Sequence, residues 1–285
     1  MFRKISYLTL ATALTALCAH AQHAPTAPID RDLYCTAVVS SDPLPSDTYV
    51  ISGQESIDHD LYWQGHTVFI NKGSSQGVKV GDQFLVSRPE TDPVGFPWFK
   101  EQTALAKAMG TRYSDVGHLR VISVASDTAT AEIVSSCDYM QRGDIVLPFA
   151  ERPAPPYKAA ANFDRYAPAS GKAKATLVMT DFFGQAVGAG VTVYVNLGTK
   201  QGVKVGDYFR VYRNQGDSHE LAYQVGGTAY KIEGFGAAPK RFEGPELPRD
   251  VLGEGIVTRV GPNAATVLLT VTLRDIYMGD LVELE

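Results

Sequence analysis

The chain predicts a mainly β fold: two tandem small β-barrel-like domains from an internal duplication, with a short helix or loop insertion in each. Three observations lead there. Residues 68–88, VFINKGSSQGVKVGDQFLVSR, match residues 193–213, VYVNLGTKQGVKVGDYFRVYR, at 13 of 21 positions with a constant offset of 125. Gly117 to Val146 aligns without gaps onto Gly253 to Val282 at an offset of 136. Short β-branched or aromatic runs bounded by Gly and Asp recur at period two in both copies, the pattern of turn-separated strands.

In chain order, residues 1–21 read as a signal peptide. Arg3 and Lys4 precede an apolar run from Ile5 to Cys18, and Ala19-His20-Ala21 forms a small-x-small cleavage site before Gln22. The run of about 14 residues is short of the roughly 20 a membrane-spanning helix needs. A lipoprotein reading would use Cys18, but bulky Leu17 stands where a small residue is expected. No later stretch spans a bilayer, so no transmembrane segment is expected after signal cleavage. Export to the periplasm or cell envelope follows. Residues 22–46 form an N-terminal extension carrying Cys35, whose remaining partner is Cys137. In an oxidising compartment the two either pair or lie separately buried. A pair would close a loop of about 100 residues and stabilise by up to about 4 to 5 kcal/mol.

The first domain is expected over residues 47–149. A lead-in strand at Thr48 to Ser52 is followed by a strand with Val68 and Ile70, a turn at Asn71-Lys72-Gly73, and strands holding Phe84 with Val86 and Leu119 with Val121. The insert Phe96 to Tyr113 has room for a helix from Lys100 to Met109. Residues 150–173, rich in Pro and Ala, read as a semi-rigid linker. The second domain, 174–285, repeats the grammar from Thr176 to Thr180 through Val193, Val195, Phe209 and Val211. Its insert, Gln215 to Arg249, reads as an ordered loop or hairpin. Gly81-Asp82, Gly143-Asp144, Gly206-Asp207 and Gly279-Asp280 each precede a strand. Glycine supplies a positive φ there, and aspartate bonds its own neighbouring backbone.

Gly73-Ser74-Ser75-Gln76-Gly77 fits the G-x-S-x-G elbow of serine hydrolases, which needs a strand, a strained turn and a helix. Turn and strand chemistry follows instead, and Lys200 stands at the position equivalent to Ser75. The turn aspartates sit in separate turns, and His23, His59, His66, His118 and His219 show no metal-ligand spacing. Arg142-Gly143-Asp144 spells an adhesion tripeptide, yet its Gly-Asp is part of the repeat. No enzyme activity, metal or cofactor is expected. The formal charge of −5 becomes −7 once Arg3 and Lys4 are removed, which speaks against nucleic acid as a partner.

The candidate binding residues are Gln76, Lys79, Gln201 and Lys204, identical across the copies in exposed turns, and the insert aromatics Trp98, Phe99, Tyr230 and Phe235. Exposed aromatics suit protein or sugar contacts, whereas buried ones would cap a barrel mouth.

The block V-x-[IV]-N-x-G-x-x-Q-G-V-K-V-G-D-x-F-x-V resembles bacterial envelope β-domains. It is similar to the C-terminal domain of flagellar assembly protein T and, more loosely, to the β-barrel repeats of rod-shape-determining protein C. The two-copy arrangement is also similar to exported acidobacterial-type envelope proteins, some labelled as peptidoglycan-binding. The resemblance implies a scaffold, assembly or protein-interaction role, with an envelope protein or a second copy as partner, and transfers no catalytic residue. Glycan or peptidoglycan binding through the repeat turns and insert aromatics is the alternative.

Overall fold

The computed structural model describes residues 27–90, 94–95, 97–158, 164–182, 184–214 and 249–285. The signal-peptide reading and most of the second insert, with Tyr230 and Phe235, lie outside the described residues. The fold is mainly β. A short helix α1 (Asp30–Tyr34) and strand β1 (Ala37–Ser40) come first. Then follow β2 (Val50–Gly53), β3 (Leu61–Tyr62), β4 (Thr67–Ile70), β5 (Gln83–Glu90), helix α2 (Gln102–Met109), β6 (Thr111–Val124), β7 (Ala129–Ser136), β8 (Met140–Gln141) and β9 (Ile145–Pro148). The second strand set is β10 (Lys174–Thr180), β11 (Ala186–Val187), β12 (Thr192–Val195), β13 (Tyr208–Asn214), β14 (Arg249–Val260), β15 (Ala265–Thr272), β16 (Ile276–Tyr277) and β17 (Leu281–Leu284).

The second set closes into a six-stranded barrel in the order β10-β12-β15-β14-β13-β17. The first pairs in the same relative order, β2-β4-β7-β6-β5-β9, with β1 added on β6. An isolated bridge between Tyr49 and Ile145 brings the ends of this sheet together. The pairing of β3 with β8 is matched by that of β11 with β16.

The turns obey the local chemistry legible in the sequence. Gly81, Gly143, Gly206 and Gly279 all have positive φ, between 89° and 100°. Asp82 and Asp207 accept hydrogen bonds from the backbone N–H of Lys79 and Lys204, at 2.9 and 2.8 Å. Asp144 and Asp280 do the same for Gln141 and Tyr277, at 2.8 and 2.7 Å. Asn71 and Asn196 each accept a 2.7 Å bond from the lead-in strand, from Tyr49 and Thr176.

Packing departs from a simple inside-outside alternation. Inside the barrel lie Leu177, Val193, Val195, Phe209, Val257 and Val267. Its outward-facing Val178, Met179 and Tyr194 are buried as well, against Ala37 and Val39 of β1, Ala106 and Met109 of α2, and Ala264. β12 is therefore buried at all four positions, as strands covered on both faces are. The fit is close: a Cβ on Gly261 would lie 2.0 Å from the Val39 carbonyl oxygen.

The N-terminal extension and the linker both make contacts with the strand sets. The N-terminal extension supplies α1 and β1. The linker is tied down where it is described, with Arg165 on Asp250 at 2.5 Å and Lys158 bridging Glu254 and Glu285 at 3.0 and 2.8 Å. Thr36 accepts from Asp115 N at 3.3 Å, and Arg165 accepts from Val251 N at 2.8 Å. Asp115 and Val251 are equivalent at the offset of 136, so the N-terminal segment and the linker each meet the same position of their strand set.

Candidate functional site

The repeated turns are exposed, and their shape uses part of their chemistry. Gln76 Oε1 accepts from Gly73 N at 2.8 Å, and Gln201 Oε1 from Gly198 N at 2.9 Å. These glutamines cap their own 3₁₀ turns, Ser74–Gln76 and Thr199–Gln201. Lys79 and Lys204 are exposed beside Val80 and Val205, which are 67% and 49% exposed. Ser75 Oγ lies 3.3 Å from Ser126 Oγ, in a turn followed by strand rather than by the helix a nucleophile elbow requires.

The insert of the first strand set reaches the barrel of the second. Phe99 is 7% exposed and belongs to the core cluster of that barrel, with Trp98 and Leu105 packed against the cluster. Phe99 is thus a packing residue, while Trp98 also lines a cavity at the junction. The helix begins at Gln102 rather than Lys100. Gln102 is 2% exposed, accepts from Trp98 N at 2.5 Å and donates to the Val178 carbonyl at 2.7 Å.

Cys35 and Cys137 form a disulfide with a Cα–Cα distance of 5.2 Å. It ties the segment before β1 to the loop after β7. Nearby, Asp115, 4% exposed, accepts from Arg152 and from Arg259, the latter at 2.7 Å. Arg259 also donates to the Thr36 carbonyl at 3.1 Å. This Arg–Asp–Arg group joins the N-terminal segment, β6, the linker and β14.

The junction holds a second polar group. Tyr194, buried, donates its hydroxyl proton to Asp181 and accepts from Ala37 N at 3.3 Å. Arg112 stacks over the Tyr194 ring at 5.0 Å, with Asp181 at 3.3 Å and Glu90 at 3.5 Å. Burial pushes the Tyr194 phenol well above its ordinary pKa and raises that of the Asp181 carboxyl. Two cavities adjoin this group and a third lies beside Cys35. One of about 250 Å³ is walled by Trp98, Arg112 and Asp181, and one of about 600 Å³ shares Arg112 and Asp181. The third, about 840 Å³, is walled by Tyr34, Leu85, His118 and Phe149. There Phe149 stacks on His118 at 4.2 Å and on Tyr34 at 5.6 Å.

Other exposed apolar side chains among the described residues carry no motif. In the loop between β2 and β4, Ile57 is 98% exposed, Leu61 42% and Trp63 48%. Trp63 meets Tyr139 edge-on at 5.8 Å, and Tyr139 lies under the Arg88 guanidinium at 4.6 Å. From Thr48 to Asn71 the sequence has no Lys or Arg, while Glu55, Asp58 and Asp60 are exposed. The missing basic residues could have flagged this loop. Among the described residues no group of three or more His, Cys, Asp or Glu side chains could hold a metal ion, and no helix is long and apolar enough to cross a membrane. No protein-family model matches the chain, and no curated protein is detectably similar to it.

Proposed function

We propose that the chain is an exported, non-enzymatic envelope protein that acts as a scaffold or protein-interaction module. The loop between β2 and β4 carries this reading. It presents Ile57, Leu61 and Trp63 to solvent on a disulfide-tied β framework, and exposed apolar side chains close in sequence to an aromatic pair suit a protein contact. The Cys35–Cys137 disulfide supports export, since such bonds persist in oxidising compartments. The resemblance to envelope β-domains points the same way.

The test is cross-linking in periplasmic extracts with the mature chain and with an Ile57→Asp, Trp63→Ser double variant. Both sites are exposed, so the variant keeps the fold. Capture of the same envelope protein, or of a second copy, by the parent chain and its loss in the variant support the reading. Equal capture by both chains removes the loop from it. A glycan-binding reading draws on the Trp63–Tyr139 pair, because an exposed aromatic face suits the C–H face of a sugar ring. Sedimentation with purified sacculi separates the two readings.

A further inference from the structure

The two strand sets meet through two different faces, and each face occurs a second time in the chain, uncovered among the described residues. At the junction, β1 and α2 of the first set cover the outer face of β10, β12 and β15 in the second. Val178, Met179, Tyr194 and Ala264 pack there on Ala37, Val39, Ala106 and Met109. Ala37 N donates to the Tyr194 hydroxyl at 3.3 Å, and Thr266 Oγ1 donates to the Ala37 carbonyl at 2.8 Å.

Strand register fixes the counterpart of this covered face in the first set. Met179 opposes Tyr194, which opposes Thr266. Ser52 opposes Phe69, which opposes Thr130. Phe69 and Thr130 are only half-buried, whereas Tyr194 and Thr266 are 0% and 1% exposed. Further along the same outer face Ile122 is 45% and Val134 36% exposed, where the second set has Thr258 and Thr270, both buried. The solvated face of an antiparallel sheet normally carries polar residues, so isoleucine and valine turned outward there indicate a missing cover.

The counterpart of the covering segment lies in the linker. The Thr36 and Arg165 carbonyls accept from Asp115 N and Val251 N, which are equivalent positions, so Tyr166 stands where Ala37 stands in the first set. Tyr166 is 57% exposed. Its N–H is held by the Asp164 carboxylate at 2.9 Å, so it needs no hydroxyl of the kind Tyr194 offers to Ala37, and Phe69 has none. Thr130 stands where Thr266 bonds the Ala37 carbonyl, and a Tyr166 ring against Phe69 makes an aromatic pair. Exposure of both Tyr166 and Ile122 shows that neither face covers the other within one chain, so a second copy has to bring them together.

We propose that copies of the chain associate head to tail, the linker face at Tyr166 of one copy seated on the outer face of the next at Phe69, Thr130 and Ile122. The inference rests on the reading of the chain as an interaction module, and it names a second copy as the partner of a face separate from the β2–β4 loop. Because the two faces differ, the contact is heterologous and repeats into a ring or a filament.

Sedimentation velocity of the purified mature chain from about 1 µM to about 200 µM tests this, and the mass should rise with concentration. Ile122→Asp on one face and Tyr166→Asp on the other should each weaken association by at least about tenfold, as a charge placed in an apolar contact does. Mixed in equal amounts, the two variants should form dimers and nothing larger, because each supplies the face that the other lacks. Association lost with only one of the two variants means that like faces meet, and overturns the proposal. A monomer at every concentration assigns the face to another protein or to the chain's own second insert, and overturns it too. The Ile57→Asp, Trp63→Ser chain must still associate, which keeps failure of the loop reading apart from failure here; if that chain is monomeric, the loop is the contact and this proposal falls. Should either face variant fail to fold, hydroxyl-radical footprinting of the parent chain replaces it. Phe69, Ile122 and Tyr166 must then all lose reactivity as the concentration rises, and unchanged reactivity overturns the proposal.

Discussion

Replacing Asp280 with Asn separates two kinds of Gly-Asp turn that look alike in the sequence. Asp280 is fully buried and accepts three 2.7 Å bonds, from Nε and a terminal nitrogen of Arg213 and from Tyr277 N. Asparagine keeps one acceptor and turns the other into a donor facing the guanidinium. One charge-assisted bond is lost, about 1.5–3 kcal/mol. The full 3–5 kcal/mol of a broken buried pair does not apply, because Arg213 keeps 27% of its side chain exposed and can recover water. The expected loss is about 2–3 kcal/mol, and the equivalent Asp144→Asn, facing Arg88 at 2.7 and 2.8 Å, should behave likewise. Asp207→Asn should cost under about 1 kcal/mol, since the Asp207 carboxylate accepts from the Lys204 backbone N–H and asparagine keeps an acceptor. Urea unfolding followed by circular dichroism reads this directly. With a slope of about 1–3 kcal/mol/M, the midpoint for Asp280→Asn should fall by about 1 M. A double variant with Arg213→Met should lose at least about 1 kcal/mol less than the sum of the single changes. A loss below about 0.5 kcal/mol for Asp280→Asn, or strict additivity in the double variant, refutes the assignment of the pair as a structural lock.

Replacing both Cys35 and Cys137 with Ser should cost up to about 4.7 kcal/mol, the loop-entropy value for a closed loop near 100 residues, and equal unfolding midpoints with and without the disulfide would contradict this. Phe99→Ala should lose about 3–5 kcal/mol, as a large core truncation does, measured by thermal melting; a change under about 1 kcal/mol would show that the ring does not fill the barrel end. Burial lowers the pKa of His118, so its neutral form favours the fold above about pH 6.5, the ordinary imidazole value, and that contribution is lost as the pH falls towards the depressed one. Melting temperatures from pH 7 to 5 should therefore drop more for the parent chain than for His118→Gln, and parallel curves would exclude the effect.

What the sequence made legible is local. The Gly-Asp turns and the alternating strands depend on contacts within about four residues, and each has a residue-type signature, whereas Gln76 and Gln201 read as exposed binding residues and cap their own 3₁₀ turns. The Arg88–Asp144 and Arg213–Asp280 pairs are 56 and 67 residues apart in the chain and carry no spacing rule, although Arg and Asp are identical in both copies. Trp98 and Phe99 lie in a segment without strand periodicity, so their burial depends on where α2 lands. β12 reads as a barrel strand because Val193 and Val195 alternate, but nothing local announces that Tyr194 between them is covered by another part of the chain. The junction group of Glu90, Arg112 and Asp181 arises only once the two strand sets meet.

β1 is made early in synthesis and finds part of its environment last. Ala37 accepts a hydrogen bond from Thr266, 229 residues further on, and Thr36 accepts one from Arg259. Its backbone pairs with β6, so one edge of the strand is satisfied within the first strand set while its other contacts depend on Arg259 and Thr266 far along the chain. Unpaired strand edges are a usual starting point of misassociation. The Cys35–Cys137 bond joins two residues of the first half of the chain, so it can hold β1 on its own sheet whether or not the later strands are in place.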